Sequence, residues 1–216
     1  MPPISCKVHI NVDLGEGYGN YHPFPDDELL PLIDFANIAC GFHAGDPLIM
    51  SRTVKACKVH NIRMGAHPGL PDLQGFGRRR IDIGAEELEA GCRAVYRAIP
   101  PGVAVFGLAG TFHEQVAKEM GLKFFAEAYG DVKWSKDGLL VIDRVKKAWT
   151  TEDTKKHILS QLEKSSVTAV TGEEVELPFE GREVTLCCHS DSPGAVDIVT
   201  AARGIVDGFN EKHGYT

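Results

Sequence analysis

Apolar and polar positions alternate along this chain in short blocks whose period switches between that of a strand and that of a helix. Lys7 to Leu14 reads as a strand, and Leu29, Leu30 and Ile33 behind Asp26 read as one helical face. A second strand is predicted at Asn37 to Phe42. Asp46-Pro47 then announces a helix, a capping residue followed by proline at the first helical position, with Met50, Val54 and Cys57 as its stripe. Ile62 to Ala66 gives a third strand, and beyond a polar loop Leu88, Cys92, Val95 and Ile99 recur at helical spacing. Val103 to Leu108 is a nearly unbroken apolar run, the pattern of a strand covered on both faces. Thr111 to Met120 predicts a helix and Lys123 to Ala128 a strand. Tyr129 to Arg144 reads as a hairpin turning at Lys136-Asp137-Gly138. Thr150 with Asp153 opens another helix that stops before Ser165. Val167–Val170 and Val184–Cys188 are late strands, and a last helix from Ser192-Pro193 carries Ile198, Ala202, Ile205 and Phe209. Strand and helix in alternation predict a parallel sheet with helices outside it. Periodicity leaves the closure of that sheet open. No repeat or linker divides the 216 residues, so residues 1–216 are read as a single α/β domain.

Composition narrows the function. A chain 43% hydrophobic and 25% charged is globular rather than disordered. Its 30 acidic against 23 basic side chains give a net charge of −7, which argues against nucleic acid as a partner. No apolar run approaches the ~20 residues of a membrane span, and the N-terminus lacks a basic-then-apolar leader. A cytoplasmic protein with no membrane partner is the expectation. The six cysteines form no Cys-x-x-Cys pair and are expected as free thiols. Adjacent Cys187 and Cys188 would point to opposite faces of their strand.

The chemistry lies in where polar residues fall. Strands end in Asn11-Val-Asp13-Leu-Gly-Glu16, in Cys40-Gly-Phe-His43-Ala-Gly-Asp46, in Gly65-Ala-His67-Pro-Gly-Leu-Pro-Asp72 and in Cys188-His189-Ser-Asp191. In parallel α/β folds the loops after strand C-termini open on one face, so four acid–histidine clusters converge on one rim. Each has a plainer reading: Asp46 is a good helix cap, Asp191 or Ser192 would cap the last helix, and Asp13 suits a glycine-rich turn. His43 and His67 follow buried strands and resist that dismissal. Asp13, His43 and His67 suit a divalent metal with water open for activation, and equally suit metal-free acid–base catalysis. Spacing does not separate the two. His9, His22, His60, His113, His157 and His213 read as structural or surface residues. Arg78-Arg79-Arg80 is either an anion anchor or a solvated basic run. There is no dinucleotide fingerprint, phosphate-binding loop or nucleophile elbow.

These segments, with Gly75-Phe-Gly-Arg78 and Gly107-Leu-Ala-Gly-Thr111, resemble the LamB/YcsF family in order from Lys7 to the final helix. The resemblance implies a distorted TIM-like barrel of the glycoside hydrolase/deacetylase type. It also implies the role of the A-type component of 5-oxoprolinase, which opens the lactam 5-oxo-L-proline to L-glutamate at the expense of ATP. ATP would enter through B- and C-type partner subunits. Asp13, Glu16, His43, Asp46, His67, His189 and Asp191 are then the candidate catalytic residues, with Asn11, Asp72, Arg78 and Asp131 on the substrate. Alternatives on the same barrel are a metal-dependent deacetylase or carbohydrate hydrolase, and a non-catalytic binding subunit. One departure stands out. Family members carry several dozen more residues, with a Lys-Pro-His-Gly motif, where Ile99-Pro-Pro-Gly102 joins directly here. An internal deletion near 99–103, removing a strand–helix unit, is therefore expected. Glu127-Ala-Tyr-Gly-Asp131-Val132 also lacks the arginine that the family's Ala-Asp-Arg motif would place at 132.

Overall fold

A computed structural model describes residues 3–97, 103–143 and 145–215. In chain order the elements are β1 (His9–Leu14), α1 (Asp26–Leu29), β2 (Phe35–Ala39), α2 (Pro47–Val59), β3 (Arg63–His67), α3 (Ala85–Arg97), β4 (Val105–Gly107), α4 (Phe112–Glu119) and β5 (Phe124–Tyr129). They continue with β6 (Lys133–Trp134), β7 (Leu140–Val141), α5 (Thr151–Lys164), β8 (Ser166–Thr168), β9 (Glu174–Glu176), β10 (Val184–His189) and α6 (Ala195–His213). Six parallel strands form one sheet in the order β3-β2-β1-β10-β5-β4. Read as a circle, that order follows the chain, with β3 and β4 the neighbours that share no ladder among the described residues. The sheet is thus a nearly closed α/β barrel, and Phe106 of β4 reaches Gly65 of β3 across the opening.

Alternation along each strand sorts side chains between helices and interior. Ile10, Val12, Leu14, Ala126, Ala128, Val184 and Leu186 face outward into a core shared with Ile158 and Leu162 of α5 and Ile198, Val199, Ala202 and Phe209 of α6. Two amides lock helices to strands. Asn210 of α6 both accepts from Val8 N and donates to Val8 O at 2.9 Å. Gln161 of α5 does the same for Tyr129, at 3.0 and 2.8 Å. Each satisfies a buried backbone donor and acceptor that would otherwise be stranded.

Most predicted elements are present. Thr150 caps α5 by accepting from Asp153 N, the hairpin turns at Gly138, and Cys187 and Cys188 face opposite sides of β10, one toward the interior and one against Gly130. Four expectations shift. The second strand ends at Ala39, because Gly41 takes φ +89° and starts the loop. The helix at Leu29 shrinks to one turn continued as a 3₁₀ turn containing Pro31. The last helix begins at Ala195 behind Gly194, so Asp191 and Ser192 do not cap it. Strand β9, charged and exposed, gave no sequence signal. Leu88, Cys92 and Val95 lie on α3, but their side chains, with Ile99 and the Ile99–Gly102 junction, fall outside the described residues. No described helix is long and apolar enough to cross a membrane.

Candidate active site

The barrel interior holds a cavity of about 850 Å³ lined by Asp13, Asn37, His67, Glu127, Tyr129, Cys187 and His189, with Phe106 and His113 on the side of β4. Register places Asp13 level with Asn37 on one neighbour and with His189 on the other. At the mouth, where the strands end, side chains from three strand-end loops join them.

Asp13 is buried and accepts from Asn37 Nδ2 at 3.0 Å. Its Oδ2 lies 3.6 Å from His67 Nε2 and 3.8 Å from His189 Nε2. Burial alone would raise its pKa, but the imidazoles and the Asn37 bond more than offset that and hold the carboxylate below its usual range. Glu16 meets His43 Nε2 at 3.2 Å and His67 Nε2 at 3.9 Å, and accepts from Ser190 Oγ at 3.5 Å. The His43 and His67 rings are 4.4 Å apart. Against the cost of burial, the Glu16 contact raises the His43 pKa.

Asp131 organises the opposite wall. It accepts from His189 Nδ1 at 2.8 Å, from His189 N at 3.3 Å and from the Ser192 hydroxyl. Burial disfavours a charged His189, yet Asp131 and Asp13 together push its pKa up to about 9. Deeper in the cavity, Glu127 accepts from Asn11 Nδ2 at 2.7 Å and from Tyr129 Oη at 2.8 Å. Burial outweighs those bonds and raises its pKa, favouring the neutral acid.

Asp13, Glu16, His43, His67 and His189 therefore meet as the sequence implied, with Asp131 one contact behind His189 and Asn11 bonded to Glu127 deeper in the cavity. Four expected residues do other work. Asp46 caps α2 through Leu48 N and Ile49 N and accepts from Gly19 N, away from the cluster. Asp72 accepts from Gly75 N and pairs with Arg79, stitching its own loop. Arg78, expected on the substrate carboxylate, has Nη1 2.8 Å from Asp191 and its guanidinium 5.0 Å from the Phe76 ring. Asp191 is also bound by Lys146, so two cations occupy it and it is not the partner of His189. As for metal ligands, the groups that converge within 4.8 Å among the described residues are Glu16–His43–His67 and Asp13–Cys187–His189, rather than Asp13 with both histidines. Sequence reasoning missed Glu127, Tyr129 and Lys146. For Glu127 and Tyr129 the available signal was their alternation with Phe125 on one strand face.

The LamB/YcsF family model matches residues 8–96 and 89–212. The lactam utilization protein lamB of Emericella nidulans is 49% identical over 253 aligned residues, covering all of both chains. The A-type component of 5-oxoprolinase from Staphylococcus aureus is 35% identical, covering 93% of this chain and 96% of its own. The crystal structure of a lactam utilization protein from Thermus thermophilus superposes with a TM-score of 0.75 at 29% identity, over 97% and 98% of the two chains. With nearly all its residues matched and its barrel shared, this chain belongs to the LamB/YcsF family.

Proposed function

We propose that this chain is the lactam-opening component of an ATP-dependent 5-oxoprolinase. Relatives named for lactam utilization and as the A-type component of 5-oxoprolinase support the substrate class and the existence of partners. The observation that carries the chemistry is the meeting of an ionised Asp13 and a cationic His189 across one cavity. Opening the ring adds water to the carbonyl carbon and breaks the C–N bond, and the nitrogen leaves as an amine after gaining a proton. Asp13, with Glu16 nearby, removes the proton from water. His189, protonated at neutral pH and aimed by Asp131, delivers one to the departing nitrogen. Glu127, whose pKa burial raises, lines the same cavity and is held by Asn11 and Tyr129. An unstrained five-membered lactam resists attack, and ATP coupling through partner subunits of the B and C type answers that resistance.

The same reading includes the lost strand–helix unit. β1 is buried along nearly its whole length, whereas no residue of β3 is. The family model meets this chain in two overlapping pieces that part near residue 90, and alignment to the Emericella protein runs longer than the 216 residues present here. A missing neighbour between β3 and β4 accounts for all three.

Incubating the chain with candidate partner subunits, ATP and 5-oxoproline should yield glutamate in proportion to ATP spent. Asp131→Asn should cut kcat by roughly 10²-fold and lower the pH at which activity fades on the alkaline side, since His189 loses the charge that keeps it protonated. The convergence of imidazoles and carboxylates also favours a metal-dependent deacetylase. Release of acetate from N-acetylated sugars without ATP, and no glutamate from the lactam, would replace the first reading with that one.

A further inference from the structure

Both ring nitrogens of His43 face oxygen acceptors. Its Nδ1 lies 3.4 Å from the Pro68 carbonyl oxygen, which can only accept, so the ring proton belongs on Nδ1. The Nε2 lone pair then faces Glu16 Oε1 at 3.2 Å, another group that only accepts when ionised. His67 Nε2 points at the same oxygen from 3.9 Å and at Asp13 Oδ2 from 3.6 Å. Two imidazole nitrogens and two carboxylate oxygens thus converge on one point, where a ring proton or a bound cation would supply the positive charge.

We propose that Glu16, His43 and His67 hold a divalent first-row transition-metal ion, with the Asp13 carboxylate beside it as a fourth donor. Three observations carry this. The donor atoms of Glu16, His43 and His67 all lie within 4.8 Å of one another, and the measured separations bracket the ~3.4 Å between ligands of a tetrahedral ion with bonds near 2.1 Å. His43 has the supporting bond that metal-bound imidazoles usually have, with the far nitrogen donating to a backbone carbonyl and the near one left for the ion. Two nitrogens with carboxylate suit Zn²⁺, Mn²⁺ or Fe²⁺ rather than Mg²⁺ or Ca²⁺, which take oxygen shells. The other convergent group, Asp13–Cys187–His189, offers one imidazole whose far nitrogen is held by Asp131, the arrangement that serves proton delivery. A bound ion would polarise a carbonyl oxygen or acidify a water. Its use in lactam opening rests on the function proposed above, but its occupancy does not.

The test uses the full chain, stripped with a chelator and titrated calorimetrically with Zn²⁺ and separately with Mn²⁺. One ion per chain should bind at micromolar concentration or tighter. His67→Ala and Glu16→Gln should each weaken binding by about tenfold or more, while substitution of the exposed His60 by Asn leaves it unchanged. Because Glu16 is buried and its variant risks misfolding, Cu²⁺-loaded wild-type protein supplies a second readout, and its pulsed EPR spectrum should show two imidazole nitrogens. No saturable binding by wild type, binding indifferent to His67→Ala, or a spectrum with fewer than two imidazoles would each overturn the site. Tight binding by a chain that never opens lactam keeps the site and removes the lactam reading. Lactam opening by a chain that binds no metal does the reverse.

Discussion

The two ends of the barrel interior are built from opposite materials on the same strands. At the N-terminal end, Phe35, Phe106 and Phe125 pack in edge-on and tilted contacts with ring centroids 5.1 to 6.0 Å apart. Arg63 lies 3.7 Å over the Phe35 ring and Lys123 4.6 Å over that of Phe125, sealing the plug with cations. Two residues further along, β2 presents Asn37 and β5 presents Glu127, and packing gives way to charge. Order below comes from excluded volume, and order above from ion pairs and hydrogen bonds. The difference separates stability from chemistry within a span of a few residues, so damage at one end should leave the other readable.

The largest effect should come from the upper end. His67→Ala is expected to lower turnover roughly 10²–10⁴-fold with little change in thermal unfolding, because its side chain is 36% exposed and fills no core. An unfolding temperature that drops sharply while turnover persists would erase the division. Phe125→Ala attacks the lower end and should cost about 3–5 kcal/mol of stability, measured by denaturant unfolding, with kcat per folded molecule unchanged. His157 sharpens the contrast, since it packs against Trp149 and bonds Val132 O outside the barrel, and burial lowers its pKa to about 4. Above its unfolded value of 6.5 neither state takes the proton. As pH falls from 6.5 toward 4 the unfolded chain binds it first, so stability is lost, by about 3 kcal/mol in full. Half-buried Asp26, raised to about 6, works the other way over part of that range. The difference between wild type and His157→Gln isolates the histidine, and it should open below pH 6.5 and close above it.

These contrasts mark what the sequence could and could not tell. Strand–helix alternation is a local property, and the parallel architecture was legible from Ile10, Val12 and Leu14 or from the Thr150–Asp153 cap. The rim was legible because strand C-termini share one face. Partnership was not. Nothing local says that Asp191 is taken by Arg78 and Lys146, or that Asp131 rather than Asp191 orients His189. Those pairings join residues dozens of positions apart and depend on a few ångströms of register. Glu127 escaped because a carboxyl on a strand among Phe125 and Tyr129 looks like a surface position until the sheet curls and turns it inward.

His43 has one more property, set by residues without side chains. Gly69 and Gly77, both at positive φ, lie so close to His43 that a methyl group on the first would strike its ring and one on the second its Cβ. The ring is caged, and rotation about its side-chain bonds is closed to it. A reacting molecule at this mouth meets a fixed template rather than an adaptable one, so discrimination among lactams of different ring size should follow shape, with misfits turned away instead of accommodated.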